Sequence, residues 1–120
     1  MEQPSCSFLT QSKVHGTIFE TVVTEAIDDV LSGLGDANKQ AIYRHLKNNY
    51  GINKNEIPYK IEDFAQAIEQ IFGSVAILIE IKIIERLQAK YKDFLYNPGN
   101  EDLNFVEFVH YLKNYSESKT

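Results

Sequence analysis

A chain of 120 residues, of which 43% are hydrophobic, is long enough for one domain with a modest core and is not disordered by composition. Its formal net charge of -5 gives no general attraction to nucleic acid or anionic membranes, and its single cysteine excludes an internal disulfide and a cysteine-based metal site. The start "MEQPSCSFLT" does not resemble a signal peptide, so we expect a cytoplasmic protein without a membrane association.

The first predicted helix follows a polar stretch at residues 1–14, which we expect to be a flexible tail. From Thr17 onward, apolar residues recur every three or four positions, which indicates the buried face of an amphipathic helix. Gly35 follows the last periodic residue, where glycine commonly ends a helix. Asp28 and Asp29 are interpreted as solvated carboxylates, because adjacent helical residues point in different directions.

Two further helices are predicted, each followed by a glycine. Asp36 is a candidate cap for a second helix over residues 37–50, which Gly51 ends. A third helix carries an apolar face up to Phe72 and ends at Gly73.

The segment between these two helices is predicted to contain one short turn. Asn53 and Glu56 have the spacing of a capping box, so we expect this turn over residues 53–57. Pro58 disfavours the helical conformation of the residue before it and is expected to break the chain there.

Residues 74–87, "SVAILIEIKIIERL", fit either a strand or a helix. The isoleucines alternate with Glu80 and Lys82, which is typical of a strand. A helix is favoured because no convincing partner strand exists and because the segment continues into residues of strong helix propensity. We predict a helix over residues 74–94, capped by Ser74, whose apolar arc is wide enough to contact several neighbours or a second subunit.

The turn sequence "NPGN" at residues 97–100 separates this helix from an aromatic fifth helix. The predicted fold is therefore an all-α, single-domain bundle of four to five helices. Residues 15–95 are expected to form the helical domain, residues 96–115 a C-terminal helix packed on it, and residues 116–120 a tail.

The sequence contains no recognisable catalytic or cofactor motif. It has no glycine-rich phosphate loop, nucleophile elbow or zinc-protease histidine pair. His15, His45 and His110 lie in different segments, where structural or surface roles are commoner than catalysis. We therefore predict a non-enzymatic protein with no catalytic, metal-binding or cofactor-binding residues.

Two apolar segments are the candidate interface with a protein partner or a second copy of the chain. One is the helix at residues 74–94, and the other is the aromatic segment at residues 101–115. The candidate interface residues are Leu78, Ile81, Glu85, Phe105, Phe108 and Tyr111.

A local cluster of positive charge lies between two acidic segments, and we call it the basic patch. Its members, which form the candidate site for an acidic partner, are Lys39, Arg44, Lys47, Lys54 and Lys60. Nearby tyrosines could stack on nucleic-acid bases, but the same residues also fit a solvated helix face. A helix-turn-helix is disfavoured, because the third helix is acidic and its connection to the second is too long.

Three blocks of sequence carry a resemblance to a known family. They read "LGxxxKQAIYxHL", "YGIxKxEIP" and "IEDFxxAIExIFG", within residues 20–92. In their order and spacing they resemble the small helical output domain of thaumarchaeal signal-transduction proteins, the nitrosopumilus output domain type. The resemblance implies an output or interaction module and supplies no catalytic residues, and it does not extend to the aromatic segment at residues 101–115.

The leading hypothesis is a non-enzymatic, self-associating interaction module in archaeal signal transduction. The alternative is a nucleic-acid-associated regulator that uses the basic patch. A third reading, a small enzyme or ligand-binding protein, requires a buried cavity on which polar groups converge.

Overall fold

A computed structural model describes the backbone of residues 14–94 and 104–118, and the side chains of residues 18–94 and 104–118. It contains five α-helices with no strand in these ranges, which confirms the all-α, single-domain bundle. The helices are α1 (Val14–Ser32), α2 (Asp36–Tyr50), α3 (Ile61–Phe72), α4 (Ala76–Lys90) and α5 (Phe105–Ser118). A 3₁₀ helix (Lys54–Tyr59) joins α2 to α3, and a 3₁₀ turn (Gly73–Val75) joins α3 to α4.

All five helices contribute to one apolar core. Helix α1 is central, since it packs against α2, α4, α5 and the 3₁₀ helix. The side chains exposed by 2% or less include Phe19, Val23, Ile27, Leu31, Leu46, Phe64, Ile68, Ile83, Leu87, Phe108 and Leu112. Those in α1, α3, α4 and α5 recur at intervals of four, which belongs to the periodicity from which the helices were predicted. Among the helices of the described ranges, none is long and apolar enough to cross a membrane.

The ambiguous residues 74–87 are helical, as predicted, but the helix ends at Lys90 rather than at residue 94. Ile79, Ile83 and Leu87 of α4 recur at intervals of four and are buried in the core. The start of the helix differs from the prediction, because the chain first forms the 3₁₀ turn after Gly73. Val75 rather than Ser74 precedes the first α-helical turn, and no side chain caps it.

The connection between α2 and α3 is a six-residue 3₁₀ helix, which extends beyond the turn predicted over residues 53–57. The Asn53 backbone N–H donates to Glu56 Oε1 at 3.0 Å, and the two residues form the predicted capping box. The prediction that Pro58 breaks the chain is wrong, because Pro58 lies buried inside the 3₁₀ helix. The φ angle that proline imposes is also that of a 3₁₀ helix, so the ring fits without strain.

Several helix ends also differ from the prediction. Helix α1 begins at Val14, and Gly35 rather than Asp36 occupies the cap position of α2. Helix α5 continues to Ser118, so residues 116–118 are helical rather than part of a tail. Of the tail predicted at residues 1–14, Val14 is helical and residues 1–13 lie outside the described residues, as does the predicted turn at residues 97–100.

Candidate interaction surfaces

The surface of α4 that faces away from the bundle carries uncovered apolar side chains. Ile77 and Leu78 are 43% and 56% exposed, while Ile81 is half-buried and Glu85 is exposed. At about 100° per residue these four side chains fall within one sector of the helix. We call them the outer face of α4. Three of the six predicted interface residues, Leu78, Ile81 and Glu85, therefore lie together on one surface.

The three predicted interface residues of α5 do not join that surface. Phe105 and Phe108 are 4% and 0% exposed, so the prediction that they face a partner is wrong. Their rings pack inside the bundle, Phe105 at 6.3 Å from Phe64 and Phe108 at 5.6 Å from Phe94 between ring centres. Tyr111 is exposed, but it lines a groove between α3 and α5.

An apolar groove lies near the start of α4. Its volume is about 570 Å³, and it is lined by Leu34, Asn38, Ala41, Ile42, His45, Ile71 and Phe72. Helices α1 and α4 are antiparallel, since Phe19 contacts Tyr91 at 6.4 Å between ring centres and Asp29 contacts Arg86 at 3.5 Å. The end of α1 and the start of α4 consequently lie at the same end of the bundle, next to the end of α3.

Most of the basic patch is engaged within the protein, and the main partner is Asp28. Lys39 Nζ lies 3.4 Å from Asp28 Oδ2 and donates to Ser32 Oγ at 3.0 Å. Lys54 Nζ lies 3.1 Å from Asp28 Oδ1, and the Tyr43 hydroxyl donates to the same oxygen at 3.0 Å. One carboxylate thus joins α1, α2 and the 3₁₀ helix.

These contacts shift the pKa values of the Asp28 carboxyl and the Tyr43 hydroxyl. Burial acts to raise the pKa of Asp28, but donation from Lys54, Tyr43 and Lys39 outweighs it and holds the pKa below its usual value. Burial and the adjacent Asp28 carboxylate raise the pKa of the Tyr43 hydroxyl far above its usual range. Asp28 is therefore a charged structural group, contrary to its interpretation as a solvated surface carboxylate.

The remaining members of the basic patch fall into two groups. Lys60 Nζ lies 3.5 Å from Glu56 Oε1, so it is also paired within the chain. Arg44 and Lys47 are exposed and have no carboxylate within 4.0 Å among the described residues. Both line a groove of about 390 Å³ together with Gln40, Tyr43, Asn53 and Lys54, which we call the basic groove.

Glu80 is the only buried polar or charged side chain among the described residues. It is 6% exposed, and its Oε2 atom has no hydrogen-bond partner there. Burial, followed by repulsion from the Glu69 carboxylate, raises the pKa of Glu80. The sequence pattern missed this burial, because Glu80 interrupts an apolar run in the same way as an exposed residue would.

The described histidines remain apart from one another. His45 lies on the surface with Asn49 Nδ2 at 2.6 Å from its Nδ1 atom, and His110 Nε2 lies 3.7 Å from Glu62 Oε2. Within the described ranges, no group of three or more histidine, cysteine, aspartate or glutamate residues is arranged to hold a metal ion. The side chain of His15 lies outside the described side chains.

Comparison with known proteins found no matching family model, no matching curated protein and no matching solved structure.

Proposed function

We propose that this protein is a non-enzymatic interaction module of cytoplasmic signal transduction, and that it forms a homodimer through the outer face of α4. The observation that carries the proposal is the exposure of Ile77 and Leu78 on a helix whose opposite side is already buried in the core. The resemblance of residues 20–92 to archaeal output domains supports the signalling role.

The distribution of apolar residues on α4 favours a partner. A helix that is apolar on nearly all sides is normally covered on all sides, whereas the bundle covers only the side that includes Ile79 and Ile83. Contiguous exposed apolar residues rimmed by polar ones are typical of protein interfaces. Here Lys82 and Glu85 supply that rim.

A second copy of the chain is the partner that this face fits best. Identical subunits most often pair about a two-fold axis, which brings the same patch of both subunits together. Lys82 and Glu85 give the face charges of both signs, so pairing it with itself does not accumulate charge of one sign.

The test is the oligomeric state of the full chain in sedimentation velocity at tens of micromolar. We expect the wild-type chain to sediment as a dimer and Leu78→Glu as a monomer with unchanged helical circular dichroism. The matched control is Ile18→Glu, since Ile18 is 52% exposed but belongs to α1. It should remain dimeric. A monomeric wild-type chain, or equal dissociation by both substitutions, would overturn the proposed dimer.

A further inference from the structure

We propose that the basic groove is a binding site for a phosphate monoester, whether carried by a small molecule or by a phosphorylated side chain. The groove lies between α2 and the start of the 3₁₀ helix and contains no residue of α4. The inference is therefore independent of the proposed dimer.

The local fold brings the groove residues together from two segments. Gln40, Arg44 and Lys47 are spaced by four and three along α2, which places them on one side of the helix. Gly51 adopts a left-handed conformation with φ 67°, and the Ile52 N–H donates to the Leu46 carbonyl at 3.1 Å. This turn reverses the chain, so that the residues after it line the same groove.

Among the described residues, only Arg44 and Lys47 of the basic patch have no acidic partner. Lys39 and Lys54 are balanced by Asp28 and by the more distant Asp36, which lies 3.9 Å from Lys39 Nζ. Arg44 and Lys47 have no such balance among the described residues, so the groove carries two uncompensated positive charges. A phosphate monoester has a charge of about -1.5 to -2 near neutral pH, which matches these two cations.

The side chains that line the groove can donate hydrogen bonds to phosphate oxygens. The guanidinium of Arg44 presents a planar set of N–H donors that matches phosphate geometry, and Lys47 adds a mobile point charge. Gln40 adds a neutral amide to the lining of the groove. Charge-assisted bonds of this type are about twice as strong as hydrogen bonds between neutral groups.

The same geometry favours a monoester over a nucleic-acid strand. A strand carries one charge per phosphate over an extended length, and it needs a track of free cations. Beyond Arg44 and Lys47, the cations of the basic patch are already paired. Base stacking on Tyr43 is also hindered, because Lys54 Nζ lies 5.2 Å from the centre of that half-buried ring.

The experiment is a titration of the full chain at low ionic strength with inorganic phosphate, O-phosphoserine and adenosine monophosphate, followed by backbone amide chemical shifts. We expect saturable shifts that centre on Gln40, Arg44 and Asn53. Arg44→Gln/Lys47→Gln should weaken binding by about tenfold or more, because two charge-assisted contacts are lost. O-phosphoserine and adenosine monophosphate distinguish a phosphorylated side chain from a nucleotide as the source.

The matched control is Lys90→Gln/Lys92→Gln, which removes the same charge from two exposed lysines outside the groove. It should bind phosphate like the wild-type chain, and Leu78→Glu should also bind normally. An equal loss in both double variants would show a general charge effect and overturn the site. The absence of saturation, shifts that centre elsewhere, or tight binding of single-stranded DNA that phosphate monoesters do not displace would also overturn it.

Discussion

At the scale of single residues, Glu80 is a buried carboxyl group whose ionised form is unfavourable in the folded state. Its pKa is raised, so the folded state binds the proton more tightly than the unfolded chain does, and ionisation destabilises the fold. We expect Glu80→Gln to increase the free energy of unfolding at neutral pH by about 1 kcal/mol. The gain should diminish as the pH falls and vanish below the ordinary glutamate pKa of about 4.3, where wild-type Glu80 is also protonated.

Urea unfolding at neutral and acidic pH measures this difference. Glu25→Gln serves as the control, because Glu25 is exposed on α1, lies outside the proposed dimer face and should have little effect at either pH. If Glu80→Gln were equally stabilising at both pH values, the burial of the side chain rather than its charge would be responsible.

Asp28 has the opposite dependence on pH. Its pKa is lowered in the folded state, so its ionised form contributes stability above the ordinary aspartate pKa of about 3.9. That contribution is lost as the pH falls through the folded pKa. We expect Asp28→Asn to lower the free energy of unfolding by about 1–2 kcal/mol at neutral pH and by less in acid.

The neighbouring residue provides the comparison for Asp28 in the same unfolding assay. Asp29 is 62% exposed at its side chain and pairs only with the exposed Arg86 at 3.5 Å among the described residues. Surface pairs of this type contribute little, so Asp29→Asn should change stability by less than about 0.5 kcal/mol. Equal effects of the two substitutions would contradict a structural role for Asp28.

At the scale of elements, two glycines terminate helices with different backbone conformations. Gly51 has φ 67° and ψ 27°, the left-handed region that asparagine also tolerates, whereas Gly73 has φ 60° and ψ -135°, a region suited to glycine alone. A Cβ atom at either position would meet nothing within 4 Å, so only backbone strain opposes substitution. We expect Gly51→Asn to be tolerated and Gly73→Asn to cost about 1–3 kcal/mol.

Thermal unfolding of the two variants tests this difference directly. The alanine variants provide the reference, since alanine fits neither conformation well: Gly51→Ala should cost about 1 kcal/mol and Gly73→Ala more. Equal losses for Gly51→Asn and Gly73→Asn would show that the two turns impose the same demand.

The sequence correctly predicts the ends of α2 and α3, which Gly51 and Gly73 follow. The spacing of apolar residues identified the helices, because one buried face needs them every three or four positions. The exposure of individual α5 residues was not predictable, since Phe105 and Phe108 differ from Tyr111 only in the direction from which α5 meets the bundle. Periodicity describes the helix itself and contains no information on how the helix docks.

The sequence predicts the outer face of α4 better than it predicts the basic patch. Leu78, Ile81 and Glu85 were grouped correctly because all three belong to one helix. The basic patch was overestimated, because the partners of Lys39 and Lys54 depend on the fold. Their shared partner Asp28 is distant in sequence and becomes a neighbour only when α1 and α2 pack together.

At the scale of the whole molecule, a homodimer would couple stability to concentration. Association stabilises a fold by mass action when only the folded state associates. We therefore expect the melting temperature of the wild-type chain to rise with protein concentration from low to high micromolar. Leu78→Glu should abolish this dependence and Ile18→Glu should retain it, as measured by differential scanning fluorimetry. A melting temperature that does not change with concentration would contradict the proposed dimer.

The contacts of Asp28 have a consequence for the dynamics of the native state. They join α1, α2 and the 3₁₀ helix, and the Tyr59 hydroxyl adds a further link by donating to Glu20 Oε1 at 2.7 Å. Native proteins open locally in contiguous cooperative units, and side-chain contacts between elements favour their opening as one unit. In hydrogen exchange, the buried amides of α1 and α2 should therefore behave as one cooperative unit. We expect the shared carboxylate to make residues 14–59, which fold as three separate elements, into a single unit of local unfolding.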